Sequence, residues 1–119
     1  MNHRTSFLIT LGLTYALLTS AHAQVDPGLQ AVRDLAQVNG QALACQDMQA
    51  ARRAKDLMLA HAPKTERFGS AFEEGTQQSY LAQTRDNAVC PDTAAVSARL
   101  DNVAQRLQAS LPAKPAGTQ

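Results

Sequence analysis

Beyond residue 26, apolar residues recur every three or four positions, and no stretch alternates apolar and polar residues over the length of a strand. Asp26-Pro27 predicts a helix start: the carboxylate can accept from a free backbone N–H, and proline suits the first helical position. Leu29, Val32, Leu35, Ala36 and Leu43 follow at helical spacing. Asn39-Gly40 interrupts them, which predicts either a bend or a close approach to a neighbour at Gly40. A second helix is expected from about Gln46 to His61, with Asp47 in its first turn and Ala50, Ala54, Leu57, Met58 and His61 on one side. Joined, the two would form a rod of about 53 Å, too long for a domain of this size, so a break is placed near Cys45. Pro63 closes the second helix by driving the residue before it out of helical geometry.

A third helix is expected from Lys64 or Thr65 to about Asp86, with Phe68, Phe72, Thr76 and Tyr80 at four-residue spacing. Gly69, Gly75 and Ser79 lie beside them, small residues suited to close helix packing. The fourth helix opens at Cys90-Pro91-Asp92. Its stripe is Val96, Leu100, Val103, Leu107 and Leu111, with Arg99, Asn102, Gln105 and Arg106 away from it. Pro112 ends it, and the polar stretch 112–119 is expected to be a disordered tail. The fold class that follows is all-α: a small up-down four-helix bundle, counting three to four helices, over residues 24–111.

The first 23 residues have a different pattern. Arg4 precedes an uncharged apolar run from Phe7 to Leu18, shorter than the roughly twenty residues a spanning helix needs. Ala21 and Ala23 occupy the positions a signal peptidase reads, so 1–23 is expected to be a cleaved Sec signal peptide and the rest an exported, periplasmic protein, with extracellular release as the alternative. Without Arg4, ten Lys and Arg face ten Asp and Glu. A neutral, mixed surface excludes an overall electrostatic footprint for nucleic acid or anionic lipid.

Export changes the reading of Cys45 and Cys90, the only cysteines. In an oxidising compartment an even count reads as one disulfide, with free thiols, an intermolecular pair or a shared metal site as alternatives. The bridge would close a loop of about 46 residues, stabilising by about 4 kcal/mol in a chain-entropy treatment. In an up-down bundle the second and fourth helices run the same way, and both cysteines then fall at one end.

Candidate chemistry is sparse. His61 is the only histidine outside the leader, and its position in a last helical turn suits the macrodipole and free carbonyls. No His-x-x-x-His, Glu-x-x-His or Cys-x-x-Cys spacing accompanies it. A thiol at Cys90 would be activated by a helix start, but a resolving cysteine nearby is missing. Glu73 and Glu74 point about 100° apart on a helix, so they form no close carboxylate dyad. No serine has a Gly-x-Ser-x-Gly context. Catalytic residues, a cofactor and metal ligands are therefore not expected, and an enzyme or metal carrier ranks last. Arg52, Arg53 and Lys55, with Asp56 within helical reach of both arginines, form the face singled out for contact with a protein partner. The leading expectation is a binding or accessory protein, such as an adaptor, an inhibitor or a toxin-neutralising partner. Cys45-Gln46-Asp47 and Cys90-Pro91-Asp92, each opening a helix in a short exported chain, give a layout that resembles the HdeA-type acid chaperones. That resemblance implies a periplasmic stress chaperone as the alternative.

Overall fold

The computed structural model describes residues 24–114; the signal-peptide reading and the last five residues of the expected tail lie outside them. Four helices appear and no strand among the described residues: α1 (Pro27–Ala44), α2 (Met48–His61), α3 (Glu66–Arg85) and α4 (Thr93–Ser110). None of them is long and apolar enough to cross a membrane.

Three of the four starts are set by an aspartate whose carboxylate accepts backbone N–H groups: Asp26 from Gly28 and Leu29, Asp47 from Ala50, and Asp92 from Ala95. Asp47 is thus the cap of α2 and not part of its first turn, and α2 begins two residues later than Gln46. The break near Cys45 is real. Gln46 adopts φ 60°, and the Asp47 N–H returns to the Ala42 carbonyl, which satisfies an otherwise orphaned acceptor at the end of α1.

The helices run up, down, up, down. Contacts between α1 and α3 keep an almost constant offset, with Asn39–Thr76 and Gln41–Gln83 separated by 37 and 42 residues, so these two helices are parallel. Arg53–Asp101 and His61–Leu111 make α2 and α4 parallel in the same way. Asp34–Arg106 and Gln41–Arg99 make α4 antiparallel to α1. Helix α1 touches all three others, α2 and α4 touch each other, and α3 touches α1 alone.

This arrangement explains the two chemistries of α1. On one side Ala31, Leu35, Val38 and Ala42 are buried with Ala50, Ala51 and Ala54 of α2 and Val96, Leu100, Val103 and Leu107 of α4. On the other, α1 meets α3 through small residues. A Cβ on Gly40 would fall 2.2 Å from the Thr76 carbonyl oxygen, and one on Gly75 would fall 2.7 Å from the Ala36 Cβ. Helix α1 therefore runs unbroken through Asn39-Gly40, and the interruption in its apolar pattern marks a close approach. Three expectations need correction. Gly69 faces open space. Leu43 is 36% exposed, because its side of α1 is not covered beyond the end of the α3 contact. Tyr80 is 43% exposed, since α3 has only one neighbour and only Phe68 of its aromatic stripe is buried.

Candidate functional site

Cys45 and Cys90 form the disulfide, with S–S 2.04 Å and Cα–Cα 5.8 Å. It joins the α1–α2 turn to the segment leading into α4, at the end where α2 and α4 both begin. A second tie converges there. Arg99 donates to Gln41 Oε1 (2.6 Å), Gln41 Nε2 donates to Gln83 Oε1 (3.0 Å), and Gln83 Nε2 donates to the Ala88 carbonyl oxygen. This chain of amides crosses from α4 over α1 and α3 to the loop before Cys90. Gln83, one of two buried polar residues of the described region, is satisfied by it; the other, Asn39, donates to Thr76 Oγ1 at 3.1 Å.

His61 joins the opposite end of the bundle, where its Nδ1 lies 2.7 Å from the Leu111 carbonyl oxygen. A carbonyl can only accept, so the ring carries a proton on Nδ1 and ties the end of α2 to the end of α4. Among the described residues no group of three His, Cys, Asp or Glu side chains is placed to hold a metal ion. Glu73 and Glu74 are both exposed on α3.

The face expected to meet a partner is divided by the fold. Arg52 and Lys55, three residues apart, are exposed on α2, whereas Arg53 pairs with Asp101 of α4 and not with Asp56. Arg52, Arg53, Gln49 and Asp56 border a shallow depression on the outside of α2.

A larger feature lies on the other side of the molecule. Because α3 and α4 each touch α1 but not each other, a strip of α1 stays uncovered between them. Its exposed residues are Arg33 and Gln37, one turn apart, and with the buried Leu29 at one end and the half-buried Gln41 at the other they floor a groove of about 760 Å³. Arg67, Glu74 and Gln78 of α3 line one side and Arg99 of α4 the other. Three guanidinium groups thus share the groove with one carboxylate from its lining. Arg67 also has Asp26 at 3.4 Å, in a pair exposed enough for solvent to screen it. Arg33 has no ion-pair partner among the described residues. Spacing arguments single out Arg99 only as a polar residue away from the α4 stripe, and Arg33 and Arg67 not at all. The available signal is the four-residue recurrence of Arg33, Gln37 and Gln41 along α1.

Compared with known proteins, the chain matches no family model, no curated protein and no solved structure.

Proposed function

We propose that this protein is an exported, disulfide-stapled binding module that acts by contact with another protein, through the groove between α3 and α4. The observation that carries the reading is that uncovered strip of α1, a concave surface whose arginine and glutamine side chains converge from three helices. Arginine is enriched where proteins meet, because its planar fork binds carboxylates and carbonyls in defined geometry. A disulfide at one end, the His61 tie at the other and an Ala- and Leu-filled core hold α1, α2 and α4 together, so that the floor and the α4 wall of the groove are firmly placed. Periplasmic location fits both the leader read from residues 1–23 and the disulfide.

Site-specific photocrosslinking in the native envelope tests this. A photoreactive residue at Gln78, in the groove, is expected to give a discrete protein adduct, while the same residue at Gln105, on the exposed side of α4, gives none. Adducts of equal yield at both positions, or none at Gln78, would overturn the reading.

A further inference from the structure

Between Phe68 and Val96 a single residue is buried, Gln83. As far as Tyr80, α3 is held against α1 by the close approaches at Gly75 and Gly40. Beyond Tyr80 the chain is seated on α1 by two things, the Gln83 side chain and the disulfide, and these two touch. Gln83 Oε1 accepts from Gln41, while Gln83 Nε2 donates to the Ala88 carbonyl oxygen and lies 3.8 Å from Cys90 Sγ. Ala88 and Cys90 both belong to the loop that the bridge pins to the end of α1.

The same amide reaches the groove. Gln41, which donates to Gln83, also accepts from Arg99, and Gln41, Ala82 and Arg99 line one end of the groove. An unbroken run of polar contacts therefore joins a sulfur of the disulfide to the side chains at that end. Its outer member is open to solvent: Cys90 is exposed, as is every residue from Thr84 to Val89, whereas Cys45 is half-buried. Exposed disulfides exchange with thiols more readily than enclosed ones.

We propose that the Cys45–Cys90 disulfide is a redox latch for this end of the groove, opened by a thiol reductant. A thiolate attacks Cys90 Sγ, the S–S bond breaks and Cys45 leaves as a thiolate; a second thiolate attacks the outer sulfur of the mixed disulfide and Cys90 leaves in turn. Two thiols have become one disulfide, and their two electrons and two protons have passed to Cys45 and Cys90. The loop is then no longer pinned, the Gln83 amide loses the groups it faces there, and a buried amide without acceptors turns to water. Helix α4 stays in place through Val96, Leu100, Val103 and Leu107. The end of α3 has no such anchor. Resting on the contact reading above, binding through the groove belongs to the oxidised protein and is withdrawn on reduction.

The test uses the chain without its leader, labelled for NMR relaxation, before and after reduction by dithiothreitol. Backbone order parameters over 82–89 are expected to fall from about 0.85 to below about 0.6, while the middles of α1 and α4 stay near the first value. Gln83 is the positioning residue, so Gln83→Ala should loosen the end of α3 with the bridge intact, and reduction should then add little. Unchanged order on reduction, loss of order in all four helices together, or a Gln83→Ala chain whose α3 keeps its order would overturn the latch. In the envelope, the adduct from the photoreactive residue at Gln78 is expected to be lost on reduction, and equally lost without reductant when Cys45 and Cys90 are replaced by Ser. An undiminished adduct from a chain whose α3 has loosened would overturn the proposal and leave the contact reading in place. Absence of the adduct from the oxidised protein would overturn the contact reading, while the order parameters still decide the latch.

Discussion

Helix α1 is one element with two unlike sides. Toward α2 and α4 it presents Leu35 and Val38, which are almost fully buried in an apolar core. Toward α3 it presents Ala36, Gly40 and Asn39, where backbones approach closely and hydrogen bonds such as Asn39–Thr76 and Ser79 Oγ to the Gln37 carbonyl replace large side chains. The apolar side removes far more surface from water and so supplies most of the stability. The small-residue side contributes geometry: it fixes where α3 lies, and therefore whether the groove exists. A helix held on one side, with only Phe68 and Gln83 buried, belongs to the low-stability end of such a molecule, so α3 amides should exchange with solvent faster than those in the middle of α1.

The disulfide spans both regions, since the loop it closes contains α2 and α3. Replacing Cys45 and Cys90 by Ser is expected to lower the unfolding free energy by about 4 kcal/mol, read from denaturant titration. A loss below about 1 kcal/mol would show that the apolar side alone fixes the bundle. Next comes Leu35→Ala, which empties a site with no exposed surface and should lose about 3 kcal/mol. Its effect is global: protection of α1, α2 and α4 amides should fall together.

Gly40→Ala separates the two sides most cleanly. The added methyl meets the Thr76 carbonyl oxygen and the Tyr80 nitrogen, backbone atoms that cannot move without carrying α3 with them. A net loss of about 2 kcal/mol is expected after the gain in helix propensity. Exchange should accelerate in α3 while the middle of α4 keeps its protection. Uniform loss across all four helices would mean that the two sides of α1 are one cooperative unit.

The apolar side was the legible one. Its signal is periodic and rests on large residues, so Val96, Leu100, Val103 and Leu107 could be placed at once, and two cysteines at two helix starts could be paired without coordinates. The α3 side was readable only as a question. Gly40 announced either a bend or a close approach, and nothing local to Asn39-Gly40 decides between them, because the answer lies in Gly75, Thr76 and Tyr80 on another helix. The groove was less legible still. Arg33, Arg67 and Arg99 lie on three different helices, and they converge only because α3 touches α1 alone. Pattern along one chain segment carries no information about a gap between two others. The face that was legible, Arg52, Arg53 and Lys55, is contiguous in sequence, yet the fold turns one of its three cations toward α4.

The smallest predicted effects compare a polar tie from each side. Asn39 is 4% exposed and its amide donates to Thr76; Asn39→Ala removes that bond and leaves Thr76 Oγ1 without it, at a loss of about 1 kcal/mol. Arg53 and Asp101 are 39% and 61% exposed, so Arg53→Ala should cost only a few tenths of a kcal/mol after solvent screening. Raised salt should shrink the second effect and leave the first nearly unchanged, because the Asn39 bond is neutral and shielded while the Arg53 pair is charged and open. If instead the two losses are equal and both fall with salt, polar contacts hold α3 no better than they hold the outer rim of α2. The positioning of the groove would then rest on the Gly40 and Gly75 close approaches alone.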